Sequence, residues 1–137
     1  MNVLDENILR SQRELLRSWR IRCQHIGHDL GRPGLADDEV LAMLLRLGRA
    51  TLFTRDLRLA RPALCDRRLC LVTLDVGQHE TASFVRRVLR HPALNTQARR
   101  LGTVVRATHT GLRVWRAKTG EPRSFSWPKS RPGGARG

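Results

Sequence analysis

Residues 37–56 read DDEVLAMLLRLGRATLFTRD. Asp37 or Asp38 opens a helix, and Glu39 adds negative charge where helix N–H groups are exposed. Val40, Leu41, Leu44, Leu45 and Leu47 give that helix a broad apolar face. Gly48 is a natural stop. Ala50–Thr54 follows as a short, continuous apolar run that ends in Thr54-Arg55-Asp56. Such a run is the pattern of a strand buried on both faces. A helix that returns at once into a buried strand belongs to a βαβ unit, which predicts a parallel sheet covered by helices.

The same alternation extends in both directions. Met1–Leu4 is a short apolar start ended by Asp5. From Ile8 to Arg20, Ile8, Leu9, Leu15, Leu16 and Trp19 fall mostly on one helical face, with arginines opposite. Ile21–Ile26 reads as a second short strand, and Gly27, Gly31, Pro33 and Gly34 mark a loop. Downstream, Leu57–Ala60 suits one helical turn and Leu69–Leu74 a strand. Glu80–Leu89 suits a third helix, with Phe84, Val85, Val88 and Leu89 on its apolar face. Thr103–Arg106 and Leu112–Trp115 read as a hairpin turning near Thr110-Gly111, and Ser124–Trp127 as a short edge strand. The expected fold is α/β: a three-layer α/β/α domain over 1–117 with a mainly parallel central sheet and a C-terminal β-hairpin. Residues 118–137 form an extension. Its last ten, rich in Pro, Gly and Arg, are expected to be a disordered basic tail.

Composition narrows the function. The 137 residues suit one domain. The 26 basic residues against 12 acidic ones leave a formal charge of +14, and all but Lys118 and Lys129 are arginines. That excess attracts polyanions, RNA first among them. A GC-rich genome that inflates arginine codons, or an acidic protein partner, accounts for it as well. Aromatics are 4% with no tyrosine, which argues against a base-stacking sheet platform. No run is long enough to span a membrane and no signal-peptide core is present, so a cytoplasmic location is expected. Cys23, Cys65 and Cys70 lack the spacing of a zinc site or a disulfide framework and read as free thiols. The five histidines include only His25 and His28 at close spacing, which on a strand and loop does not aim both rings at one ion. The phosphate-binding glycine motifs and the nucleophile-elbow motif are missing.

Open α/β sheets carry their sites beyond the C-terminal ends of their strands. Asp5 and Asp56 each follow a strand there, and Asp38 sits at the start of the intervening helix. Clustered carboxylates suit a hard cation, Mg²⁺ or Mn²⁺, and metal-assisted phosphodiester hydrolysis. Each also has a purely structural reading. Asp38 caps its helix, in competition with Asp37; Asp56 accepts turn N–H groups; Asp5 pairs with an arginine. Arg86, Arg87 and Arg90, with Arg99, Arg100, Arg106, Arg113 and Arg116, form either an RNA-binding face or a solvated surface. Trp115 and Trp127 either stack on a base or cover a sheet edge or dimer contact.

Four stretches taken together, Leu4-Asp5-Glu6-Asn7, Gly27-His28-Asp29, residues 34–41 and Thr54-Arg55-Asp56, resemble the short bacterial PIN-like proteins related to VapC-type toxins. The strands at 102–105 and 112–114 resemble that branch's closing hairpin, so the likeness covers residues 1 to 117. The resemblance implies a PIN-like fold and an Mg²⁺- or Mn²⁺-dependent ribonuclease, the toxin of a toxin–antitoxin pair. Its metal ligands fall on Asp5, Asp38 and Asp56. Thr54 contributes a hydroxyl, and Asn7 orients Asp5, contacts a water or caps the first helix. Arg55, Arg58, Arg86, Arg87 and Arg90 become the RNA contacts. The implied partners are RNA, a cognate antitoxin and a second copy of the chain. One departure stands out: the family's Thr-x-Asp-x-Asp reads Thr54-Arg55-Asp56-Leu57-Arg58 here. A cation replaces the second acid, which weakens metal binding or offers a phosphate contact. Asp66 or Asp75 substitutes only if the fold brings it close. The alternative reading is a PIN-like module that has lost cleavage and binds RNA or a protein.

Overall fold

Residues 1–116 and 120–129 are described by a computed structural model. Among these residues seven strands and four helices follow in the order β1 (Asn2–Leu4), α1 (Arg10–Ser18), β2 (Gln24–His25), α2 (Asp37–Leu47), β3 (Ala50–Thr54), β4 (Leu69–Leu74), α3 (Thr81–Arg90), α4 (Gln97–Arg100), β5 (Thr103–Thr108), β6 (Gly111–Arg116) and β7 (Arg123–Ser126). Short 3₁₀ turns at Leu57–Leu59, Pro62–Leu64 and Gln78–Glu80 complete the connections. One sheet contains all seven strands in the order β2-β1-β3-β4-β5-β6-β7. The first five are mutually parallel, and β6 and β7 are antiparallel. The protein is therefore α/β with a mostly parallel sheet.

Strands β3 and β4 are buried at every position, which is why they read as unbroken apolar runs rather than alternating ones. Successive side chains point to opposite faces. Leu4, Phe53, Val72 and Val105 pack with Leu16 of α1 and Val85 and Val88 of α3. Val3, Leu52, Leu71 and Val104 pack with Val40, Met43 and Leu44 of α2 on the other side. The 3₁₀ connection between β3 and β4 adds Leu59 and Leu64 to this second face. Helices thus cover both faces of the sheet.

Several boundaries differ from those expected. Helix α1 begins at Arg10 with Leu9 at its N-cap and no side-chain cap, so Asn7 does not cap it. Helix α2 begins at Asp37 after an Ala36 N-cap, and the Glu39 carboxylate accepts the Ala36 N–H at 3.1 Å. Neither Asp37 nor Asp38 is therefore the cap; both lie in the first turn. The β5–β6 turn is His109-Thr110, because Thr108 pairs with Gly111. Gly111 faces the β7 backbone so closely that a Cβ would collide with the Phe125 carbonyl oxygen. Strand β7 and Trp127, within the segment read as an extension, belong to the same sheet and core. The tail beyond residue 129 lies outside the described residues.

The order 2-1-3-4-5 of the parallel strands places a topological switch between β1 and β3. The chain leaves β1 through α1 to one side, then returns through α2 to the other. A crevice opens at such a point, at the C-terminal ends of the strands.

Candidate functional site at the β1–β3 switch point

Strands β1 and β3 pair in parallel with Leu4 opposite Phe53. The next residues, Asp5 and Thr54, therefore lie side by side at the C-terminal ends of the two strands. The Asp5 N–H donates to the Phe53 carbonyl at 3.0 Å, extending the ladder one step. The Thr54 hydroxyl, fully buried, donates to Asp5 Oδ2 at 2.6 Å. Its oxygen in turn accepts the Asp56 N–H at 3.0 Å. The other Asp5 oxygen accepts the Glu6 N–H at 2.8 Å. One hydroxyl thus links the two strand-end aspartates expected from sequence.

Asp56 caps the 3₁₀ turn at Leu57–Leu59, with Oδ1 accepting the Arg58 N–H at 3.0 Å. The turn-acceptor reading of Asp56 is thus correct. The Arg58 side chain also grips this carboxylate in a two-pronged fork. Nε donates to Oδ1 at 3.0 Å and an Nη to Oδ2 at 2.8 Å, a geometry suited to guanidinium and carboxylate. Arg58 holds the Asp56 carboxyl below its ordinary value, because the bonds stabilise the ionised form. The same guanidinium lies 3.6 Å from Asp37. Across the crevice it is therefore Asp37, rather than Asp38, that the structure joins to Asp56. Asp38 is exposed, and no bond ties it to Asp5 or Asp56.

Neighbouring groups are also committed. Both Glu6 oxygens accept the Gly34 N–H, at 2.9 and 3.1 Å, and so hold the loop leading into α2. The buried His25 ring bonds the Glu6 carbonyl at 2.9 Å. Asp29 accepts the His25 N–H at 2.8 Å and so shapes its loop. Glu6 was not singled out by sequence, although it stands in the quoted Leu4-Asp5-Glu6-Asn7. Asp75, at the end of β4, is paired with Arg106 at 2.7 Å. Asp66 precedes β4, at the opposite end of the sheet, and is held by Arg68 at 2.9 Å. Only Asp75 lies on the rim shared with Asp5 and Asp56.

The expected RNA contacts divide. Arg55 donates through Nε to the Val76 carbonyl at 3.0 Å, tying the end of β3 to the segment after β4. Arg86 stacks on Trp19 of the α1 end at 3.6 Å, and Arg87 covers Trp127 at 4.5 Å. Arg90 is exposed at the end of α3. Trp127 is buried, and its indole N–H donates to the Thr108 carbonyl at 2.8 Å. It is a core residue and presents no face to a base. Trp115 is half-buried against the α2-side core.

Family models, curated proteins and solved structures yield no match to this chain. The site is therefore read from its own chemistry. Its donors are carboxylate oxygens and a hydroxyl, the ligand type preferred by Mg²⁺ and Mn²⁺. Among the described residues, however, no three acidic, His or Cys groups converge in a way that holds an ion. Arg58 supplies the positive charge between Asp56 and Asp37. Among the described residues no helix is long and apolar enough to cross a membrane.

Proposed function

We propose that this chain is a PIN-like, Mg²⁺- or Mn²⁺-dependent RNA endonuclease and the toxin of a bacterial toxin–antitoxin pair, working in the cytoplasm. The observation that carries the reading is the Asp5–Thr54–Asp56 linkage at the switch point. A strand-end carboxylate, tied through a buried hydroxyl to the backbone of a second strand-end aspartate, suits a hydrolytic centre in a chain whose charge attracts RNA. Asp5 and Asp56 are the ligands most firmly positioned, and Asp38 or Asp37 completes the set from α2. Bound there, a divalent ion supplies Lewis-acid activation of water. Thr54 keeps Asp5 oriented. Arg58 is the counter-ion that must move aside. Its side chain is 78% exposed, and solvent weakens an ion pair so exposed. Once displaced, its guanidinium is free to hold a substrate phosphate. The antitoxin expected for such a protein offers an acidic or arginine-blocking segment.

Calorimetric titration of Mn²⁺ and Mg²⁺ into the wild type, Asp5→Asn and Arg58→Ala tests this, together with RNA cleavage. The expected result is binding by the wild type, tighter binding by Arg58→Ala, and loss of binding and cleavage in Asp5→Asn with the fold intact. Cleavage retained by Asp5→Asn refutes the reading.

The two-pronged Arg58–Asp56 contact favours a second reading, a PIN-like module that binds RNA or a protein without cutting. It requires that the wild type neither bind metal nor cleave, and that Arg58→Asp gain both.

A further inference from the structure

A second feature, whose lining includes neither Asp5 nor Asp56, lies where α1 runs beside the short edge strand β2. A groove of about 1350 Å³ opens there, lined by Arg10, Arg13, Arg17, Arg20, Arg22 and Arg100. That is larger than the roughly 300–1,000 Å³ of an ordinary small-molecule pocket. Arg10, Arg13 and Arg17 recur every three or four residues, which gathers them into one stripe along α1, and Arg20 follows just past the helix end. Two acids share the groove and both are engaged. Glu14 is held by Arg10 at 2.8 Å, and Asp29 accepts the His25 N–H at 2.8 Å. Arg13, Arg17, Arg20 and Arg22 have no ion-pair partner among the described residues. Arg13 Nε is shielded from solvent without a hydrogen-bond partner among them.

The end of α1 adds a second observation. Arg20 has φ +62°. Its N–H bonds the Arg17 carbonyl at 2.9 Å, and the Ile21 N–H bonds the Leu16 carbonyl at 3.0 Å. This is the helix-ending motif whose left-handed position favours glycine. An arginine here carries strain that glycine would relieve, and its side chain lies in the groove.

We infer that this arginine groove binds the phosphate backbone of a nucleic-acid strand, separately from the Asp5–Asp56 centre. Unpaired arginines in a row match a row of phosphates. Arg13 to Arg17 spans about 6 Å of helix, the length of about two nucleotides at 3.4 Å each, and Arg20 and Arg22 line the groove beyond the helix end. No Phe, Tyr or Trp side chain lines the groove among the described residues, and of its two imidazoles His25 is buried and bonded to the Glu6 carbonyl, so the arginines hold backbone rather than stacked bases, without sequence preference.

The test uses the full chain in EDTA, so that binding is read independently of any metal-dependent cleavage. Fluorescently labelled mixed-sequence RNA and DNA strands of about 15 nucleotides are the probes, and poly-glutamate is the competing polyanion. Arg17→Ala/Arg20→Gly/Arg22→Ala is compared with Arg46→Ala/Arg61→Ala/Arg67→Ala, which removes the same charge from exposed positions elsewhere. The groove variant is expected to lose on the order of 10- to 100-fold in affinity, and its log–log salt slope to fall by about 2. The control variant stays near wild type. Arg20→Gly alone is expected to raise Tm by roughly 2–6 °C while weakening binding, opposite signs that a purely structural role does not produce. Binding of RNA alone, or of RNA and DNA equally, identifies the source of the backbone. Equal losses in both triple variants, an unaffected groove variant, or binding of poly-glutamate without either nucleic acid overturns the inference.

Discussion

The Thr54 hydroxyl donates to Asp5 Oδ2 across 2.6 Å and accepts the Asp56 N–H at 3.0 Å, so one buried side chain organises both strand ends. Thr54→Val keeps the shape and removes the hydroxyl. Asp5 then loses a donor and the Asp56 N–H loses its acceptor. The expected cost is about 1–3 kcal/mol in urea unfolding, with Thr54→Ser close to wild type. A valine variant of wild-type stability would show that the linkage carries no strength.

Acid sensitivity follows from two carboxylates gripped by the arginine two positions on. The side-chain bond from Arg68 brings Asp66 from 3.8 to about 2, and Arg58 lowers Asp56 in the same way. A carboxyl depressed in the folded state stabilises the fold above its unfolded pKa and loses that contribution as pH falls through the folded value. Stability is therefore expected to decline between about pH 4 and pH 2. Asp66→Asn should give a shallower decline in Tm over that window. An identical profile would remove Asp66 from the explanation.

The thiols are expected to be inert in the native protein. Burial pushes Cys23 and Cys70 up to about 11, and Cys65 is raised as well. Thiolate is the reactive form. Iodoacetamide at mildly alkaline pH should label the folded chain slowly and all three cysteines on unfolding. Rapid native labelling of Cys70 would contradict its complete burial.

Trp127 tests whether the last strand is part of the domain. It packs edge-on against Phe84 and His91, lies under Arg87, and donates to the Thr108 carbonyl. Trp127→Ala is expected to cost about 3–5 kcal/mol in guanidinium unfolding. A loss near zero would mean that β7 is dispensable.

Much of the order of elements was legible because fully buried parallel strands need unbroken apolar runs. Ala50–Thr54 and Leu69–Leu74 match strands β3 and β4 end to end. Helix α4 and the turn at Pro62–Leu64 were missed, since pieces of three or four residues have no period to read. At the site, an Asp placed at or just past the end of an apolar run was visible at both strand ends, as Leu4-Asp5 and Thr54-Arg55-Asp56. The choice between Asp37 and Asp38 was not, because adjacent residues in a first helical turn differ only in the direction they face. Arg86 and Arg87 looked like free cations; their stacking on Trp19 and Trp127 needs partners far away in the chain.

By itself, the sequence determined the α/β class, the parallel core strands, the placing of Asp5 and Asp56 at strand ends, and the strong positive charge. Each follows from local spacing or composition. Only the tertiary structure decided that β1 and β3 are neighbours in register, so that Thr54 bonds Asp5. It alone placed Arg58 between Asp56 and Asp37, and gathered the α1 arginines beside β2 and Arg100. Those relationships join residues up to tens of positions apart. They are fixed by which strands pair and which faces pack, a choice made by burial of the whole core rather than by any one segment.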